Sequence, residues 1–274
     1  DGGFDIIIGN PPWERIKIQD KEFFATKVPK IATASPASLQ KKMIKNLKKT
    51  NPILYDLYLN SKKISEMQSN YFRKSDKFPQ SGVGDINLYP LFVEQCHNLL
   101  NKNGRIGLIV KTGFITDNSY KHFFNDLVNT SSIVECDDFA NRLPIFKDVG
   151  AVERFTLLFL RGKNNTNSDF SISVLNKSLS DISEKNTYKL NSDIIKKFNP
   201  NTKTCPLFST KKDFEVCTKI YNTNPVLFEE KENTDENPWN LEYWGMYHMT
   251  NDSNLFRKKE WLIKNGFKIQ KKNW

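Results

Sequence analysis

Asn10, Pro11, Pro12 and Trp13 stand directly behind the apolar run Phe4 to Ile8, and their groups suit one chemical task. That task is methylation of an amino group that is a poor nucleophile. The exocyclic amine of adenine shares its lone pair with the ring, so the nitrogen must be drawn toward tetrahedral geometry before it attacks an activated methyl. Two acceptors are needed, one for each N–H. The Asn10 side-chain oxygen can take one, and the main-chain carbonyl of Pro11 can take the other. Pro12 drives the residue before it out of the helical region, and neither proline has an N–H, so this backbone offers acceptors in a nearly fixed geometry. Trp13 adds a broad flat face. Stacking on a base contributes about 1–3 kcal/mol whatever the base, which can hold a nucleotide flipped out of its duplex. No strong general base is required, because the methylated, cationic nitrogen loses its proton easily. The same residues also read as an ordinary turn after a strand, since Asn and Pro both favour turns.

The elements that must position these four residues surround them. Phe4, Asp5, Ile6, Ile7 and Ile8 form a short run of the parallel-sheet type, with Gly9 at its carboxyl end, the end where ligands bind in open α/β sheets. Residues 20–80 form a long polar connection with helical pieces from Pro36 to Lys49 and from Pro52 to Ser69. An insertion of that length exceeds a simple strand-to-helix link, and it is expected to overhang the substrate cleft. Asp85 or Asn87 can cap the next helix, Pro90 fits its first turn, and Leu88, Leu91, Phe92, Cys96 and Leu99 make its apolar stripe. Strands are expected at Arg105 to Val110, Ser132 to Cys136 and Val152 to Leu160, with a helix from Asn118 to Val128. This alternation argues a doubly wound sheet, whose last strand returns antiparallel because no helix separates Ala140 from Ala151.

Beyond Gly162 the composition turns to Asn, Ser and Lys, with a short strand from Phe170 to Leu175 and a helix from Ser192 to Phe198. Asn199, Pro200 and Asn201 then break the pattern. Thr210 can cap a helix carrying Phe214, Cys217, Ile220 and Tyr221. Trp239, Tyr243, Trp244, Tyr247 and His248 form an aromatic patch near Arg257, Lys258 and Lys259. Such a patch can bind DNA, but the expectation is packing inside a small subdomain.

The 274-residue chain has 38% hydrophobic residues, enough to build a core of one or two domains. Its formal charge of +10 is unevenly spread: residues 1–80 hold 15 Lys and Arg against 8 Asp and Glu, whereas residues 81–165 hold 9 of each. Most of the excess therefore lies beside the four-residue motif, the remainder holding 17 against 14. Lys41, Lys42, Lys45, Lys48 and Lys49 form the densest run; they read as neutralising phosphates or as a solvated helix face. Cys96, Cys136, Cys205 and Cys217 show no zinc or disulfide spacing, which fits a reduced cytoplasmic compartment and no metal. No run of eighteen apolar residues exists.

The stretch Gly3 to Ala25 (GFDIIIGNPPWERIKIQDKEFFA), the block Gly82 to Asn118, the segment Asn199 to Val226 and the late Met249 to Arg257 carry a resemblance. Together they resemble adenine-specific DNA methyltransferases of restriction-modification systems, of the type IIG class and the related phage-defence methylases. In such enzymes the motif (Asp or Asn)-Pro-Pro-(Tyr, Phe or Trp) follows the fourth strand of a Rossmann-like sheet. The motif also occurs in enzymes acting on cytosine, on a guanine of ribosomal RNA and on a protein glutamine. The resemblance implies an α/β, Rossmann-like fold dependent on S-adenosyl-L-methionine, represented by the carboxyl-terminal half of its sheet, with a helical insertion and the start of a target-recognition region. It implies double-stranded DNA as partner, Asn10, Pro11, Pro12 and Trp13 as working residues, and an aromatic of the last strand stacking on the far face of the flipped base. Phe155 and Phe159 are the candidates, their spacing of four placing both on one side of a strand, and Phe159 sits better against the family pattern.

The expected division is a catalytic half at 1–165, a connecting segment at 166–200 and the start of a target-recognition region at 201–274. The glycine-rich loop that holds the cofactor in this family precedes the Asn-Pro-Pro motif, and no apolar strand followed by a Gly-x-Gly cluster occurs in this chain. The chain is therefore expected to be a piece of a longer protein and inactive by itself. No nuclease signature of paired acids and a lysine on one strand is found. Two other readings stay open: methylation of an RNA guanine or a protein glutamine, and a non-catalytic module that only binds DNA.

Overall fold

The computed structural model describes residues 2–268 apart from positions 143, 144, 148, 164–166, 185, 232, 233, 243, 244 and 250. In chain order, β1 (Phe4–Gly9) leads through the motif into α1 (Asp20–Ala25), α2 (Pro29–Ala32), α3 (Ala37–Thr50) and α4 (Pro52–Lys74). Helix α5 (Leu88–Leu99) then feeds β2 (Leu100–Lys111), followed by α6 (Gly113–Thr116), α7 (Lys121–Asn129), β3 (Ile133–Ala140) and β4 (Arg154–Arg161). The remainder holds β5 (Phe170–Asn176), β6 (Tyr188–Leu190), α8 (Ser192–Phe198), α9 (Lys211–Thr223) and α10 (Lys259–Lys264). Among the described residues no helix is long and apolar enough to cross a membrane.

The six strands make one open sheet in the order β1-β2-β4-β3-β5-β6. Pairs β1–β2 and β3–β5 are parallel, and β4 runs antiparallel to both of its neighbours, β2 and β3. The reason is local: β3 reaches β4 through a loop, which can reverse the chain, whereas parallel neighbours need a longer crossover. Register fixes which side chains share a face. Leu108, Leu158, Cys136 and Ile172 lie in one row across β2, β4, β3 and β5. They join Val93 of α5, Phe124 and Leu127 of α7 and Ile195 of α8 in a single buried core.

None of these helices covers the opposite face, where Asp137, Phe139 and Phe155 are nonetheless buried. Its row through Ile8, Gly107, Phe159 and Glu135 includes Ile8 at 82% exposure. The expectation of a doubly wound sheet is thus corrected: among the described residues the helices of the sheet core lie on one face. Moving from β1 to β2 and from β2 to β3 advances across the sheet in one direction, and right-handed crossovers made in one direction deposit their helices on the same side. A second helical layer would require strands beyond β1, which is an edge.

The 20–80 insertion is closed at its base and carries its own core. Arg15 and Asn87 form an antiparallel bridge, flanked by hydrogen bonds from the Ile16 N–H to the Ile86 carbonyl (2.9 Å) and from the Leu88 N–H to the Glu14 carbonyl (3.0 Å). Phe24, Ile31, Ile44, Leu47 and Tyr58 pack together, separate from the sheet core. Asn51 stops α3 and caps α4, its side chain accepting from the Leu54 N–H at 3.1 Å while Pro52 fills the first helical turn. Helix α4 outruns its expected end at Ser69, and Ile53, Ile64 and Met67 stay exposed along it.

Residues 166–200, expected as a connecting segment, contribute β5, β6 and α8, and the first compact unit runs to Val226. The second unit, from Leu227 onward, has a bridge between Glu229 and Glu236 and the single turn-and-a-half of α10. None of its described residues is buried; Trp239 is 49% and Tyr247 63% exposed. Among its described residues the expected packing does not amount to a buried core, although Tyr247 does meet the Phe256 ring at 6.0 Å. Tyr243 and Trp244 lie outside the described residues.

Two carboxylates stand side by side on β3 and are both buried. Asp138 accepts from Thr112 Oγ1 (2.5 Å) and the Leu175 N–H (3.0 Å) and pairs with Arg154. Asp137, on the other face, accepts from Ser173 Oγ at 2.6 Å. Burial pushes the Asp137 carboxyl above its ordinary value, against a smaller downward pull from the Ser173 hydroxyl. A carboxyl raised in the folded state contributes stability that is fully present below its unfolded value and is lost as pH rises through the folded one. Asp137→Asn keeps an acceptor for Ser173 and removes the ionisation. The variant should therefore have a higher urea midpoint than wild type at neutral pH and an equal one under acid conditions; the same offset at both pH values would contradict this assignment.

Candidate active site

Pairing between β1 and β2 stops at Gly9 and Leu108. Pro11 and Pro12 cannot donate to a neighbouring strand, so the chain lifts off the sheet here. Trp13 reattaches it, its indole Nε1 donating to the Ile109 carbonyl at 3.1 Å. Pro11 is buried, Trp13 half-buried, and Asn10 and Pro12 are exposed. All four line a hollow of about 570 Å³ whose other walls include Lys111, Phe146 and Glu153. Among the described residues neither the Asn10 carboxamide nor the Pro11 carbonyl is engaged in a hydrogen bond. The two residues singled out from sequence thus line one concavity, and among the described residues their acceptor oxygens are not spent elsewhere.

An aromatic stack supports the Trp13 ring. Trp13 lies on Phe155, with centroids 6.3 Å apart and planes at 29°, and Phe155 lies flat on Phe139 at 5.2 Å and 4°. Phe155 is only 2% exposed, so it underlies Trp13 and does not line the hollow. Phe159 is 37% exposed but pairs with Gly107, further along β4, and it does not line the hollow either. The two phenylalanines do share a sheet face, as their spacing requires. Phe146, which sequence reasoning missed, does line it, standing edge-on to Trp13 (6.3 Å, 82°) and to Phe155 (5.0 Å, 69°). It sits in the β3–β4 loop, where no periodicity marks it. The signal that could have found it is Asn141, whose side chain donates to the Phe146 and Val149 carbonyls (3.0 and 2.8 Å) and accepts from the Phe146 N–H (3.2 Å). An Asn can close a loop in this way and so fix what its tip presents.

Lys111 ends β2 and forms an ion pair with Glu153, Nζ to Oε2 3.1 Å, at the rim of the hollow. A second hollow of about 960 Å³ shares Trp13, Glu14, Lys111 and Glu153 with the first and extends to Arg15, Tyr89 and Asp117. Burial drives the Tyr89 hydroxyl far above its ordinary value, reinforced by neighbouring Tyr120, so Tyr89 stays neutral. A third hollow, about 870 Å³, lies between residues 16–22 and α4 and contains none of the four motif residues. Lys41, Lys42, Lys45, Lys48 and Lys49 are all exposed on α3, whose Gln40, Ile44 and Leu47 turn inward, and none has a carboxylate partner among the described residues. Chemically, the site offers a flat ring, two oxygen acceptors and one cation around a space that admits a planar heterocycle.

The Trp13 hydrogen bond should be measurable by itself. Trp13→Phe keeps a ring over Phe155 but leaves the Ile109 carbonyl without its donor, and a stability loss of about 1 kcal/mol in urea unfolding is expected. An unchanged midpoint would mean that the indole N–H contributes nothing to holding the motif.

Residues 58–146 match the family described as Eco57I restriction-modification methylase; the match runs from within α4 to Phe146 and begins after the Asn-Pro-Pro-Trp motif. None of the curated proteins matches the chain in sequence. Among solved structures it is similar to the methyltransferase subunit of a type I restriction-modification system from Streptococcus thermophilus, at 13% identity and a TM-score of 0.34 over 81% of this chain and 32% of that one. A modification subunit of a putative type I restriction enzyme from Vibrio vulnificus YJ016 is similar at 12% identity and a TM-score of 0.32, over 89% of this chain and 36% of that one. A nuclease-deletion mutant of the type ISP restriction-modification enzyme LlaGI, in complex with a DNA substrate mimic, is similar at 14% identity and a TM-score of 0.37, over 70% of this chain and 17% of that one. The chain spans about a third or less of the length of these three proteins.

Proposed function

We propose that this chain is the methyl-acceptor part of an adenine-specific DNA methyltransferase of a restriction-modification or phage-defence system. The observation that carries the reading is the hollow at the carboxyl end of β1, where the Asn10 carboxamide and the Pro11 carbonyl are uncommitted beside the Trp13 ring. The family match over residues 58–146 supports the same class. In this reading a flipped adenine lies against Trp13, and its N6 gives one N–H to Asn10 Oδ1 and the other to the Pro11 carbonyl. Both bonds strengthen as the nitrogen becomes tetrahedral, so they favour the transition state over the ground state. Phe146, edge-on to Trp13, takes the role of a side wall against the edge of the base, and Phe155 and Phe159 do not line the hollow. The α3 lysines neutralise DNA phosphates.

The residues around the hollow suit the acceptor amine and not the methyl donor. S-adenosyl-L-methionine would need a glycine-rich loop behind an apolar strand, and this chain has none. Holding the donor falls to other residues of a parent protein. The open edge of β1 is where such a segment is expected to attach, because Phe4, Ile6 and Ile8 are 58, 67 and 82% exposed there. An apolar edge strand of this kind is a template for further pairing. As a separate chain the protein is expected to transfer no methyl.

In the parent protein, Asn10→Ala should abolish most methyl transfer to adenine while leaving DNA affinity within a few-fold, since Asn10 orients the amine and touches no phosphate. Turnover near the wild-type value, measured with labelled methyl donor, would remove the role assigned to Asn10. Replacing the five α3 lysines with Gln should leave the methylated base unchanged but flatten the dependence of DNA affinity on salt, by up to about 0.9 log units per log salt for each phosphate that is no longer neutralised. An unaltered slope would return α3 to the status of a solvated face.

A further inference from the structure

We propose that Lys111 reads the ring nitrogen next to the target amine and thereby selects a base with an acceptor at that position. The proposal rests on the reading of the 570 Å³ hollow as the acceptor site. Lys111 is in register with Phe155, which puts it on the sheet face that carries the aromatic stack. It lines the hollow together with Asn10, Pro11, Trp13 and Glu153.

The argument is an inventory of donors. Adenine presents its N6 amine beside N1, which is an acceptor, so a site that supplies only acceptors leaves N1 unpaired when water is excluded. Three described side chains around the hollow carry N–H groups: Asn10, Trp13 and Lys111. The Trp13 N–H is already bonded to the Ile109 carbonyl. Asn10 faces the amine through its oxygen. Lys111 has three donors, one of which meets Glu153 at 3.1 Å, and no other described group takes the remaining two. Glu153 tethers the ammonium at the rim, so little side-chain freedom remains to be lost when a base arrives. Guanine presents N1–H beside its amine, which sets donor against donor at Lys111. The hollow therefore takes an adenine-type edge and rejects a guanine-type edge.

The experiment uses the full-length parent protein and two duplexes, one with adenine and one with 1-deazaadenine, which has carbon in place of N1, at the target position. Wild type should prefer adenine, and Lys111→Met should reduce that preference by about tenfold or more, while Lys111→Arg retains it. If Lys111→Met transfers too slowly to measure, equilibrium binding of the two duplexes carries the same comparison. Asn10→Ala serves as the reference: it lowers transfer to both duplexes without altering the preference. A Lys111→Met protein that keeps the wild-type preference overturns the proposal alone. A wild-type protein that methylates neither duplex overturns the acceptor-site reading, and this proposal with it.

Discussion

The site depends on how the chain leaves β1. Two consecutive prolines end the β1–β2 ladder at Gly9, and the Trp13 indole then donates to the carbonyl of Ile109, one residue beyond the last paired position. A strand that merely frayed would let Asn10 and Pro11 wander. Here the backbone is released from the sheet after Gly9 and caught again at Trp13, four residues later, so the intervening peptide groups are held there without being consumed by pairing. That is the condition for their acceptors to be free for something else.

Holding Trp13 requires more than one hydrogen bond. Its ring rests on Phe155, which rests on Phe139, so two adjacent strands brace the residue from below, while Phe146 closes the side from a loop that Asn141 ties together. Aromatic pairs of this kind contribute about 0.5–1.5 kcal/mol beyond the area they bury. The arrangement also explains why aromatic residues on the face opposite the helices stay buried only near the motif: Trp13 and the β3–β4 loop roof that end, and Phe159, further along β4, has no roof.

One-sidedness follows from topology. Helices α5, α7 and α8 cover the face that carries Leu108, Leu158 and Ile172, and the edge strand β1 leaves its outward residues uncovered. The ends of the insertion are pinned together at Glu14 to Ile16 and Ile86 to Leu88, and Phe24, Ile31 and Tyr58 belong to a second, smaller core. The result is a sheet core and, beside it, a helical insertion with its own core and exposed lysines.

Much of this was legible in the chain itself. The apolar run of β1, the prolines after it, the Asn51–Pro52 helix start and the antiparallel return of β4 all follow from short-range rules, because propensity, capping and loop length act over a few residues. The stripe expected for α5 does not hold, since of its five residues only Leu91 is buried and the inward face is Tyr89, Val93, Glu94 and His97, with Phe92 and Leu99 exposed. What needed the tertiary structure was every statement about which side chains meet across long separations. Phe155 and Phe159 are equivalent by spacing, and register together with the position of Trp13 separates them. Phe146 lies in a loop with no period to mark it, and Lys111 is simply the last residue of a strand; both gain meaning from residues more than ninety positions away in the chain. Periodicity reports the face on which a residue lies, whereas the companions it meets there are set by strand order and crossover handedness, which no local window contains.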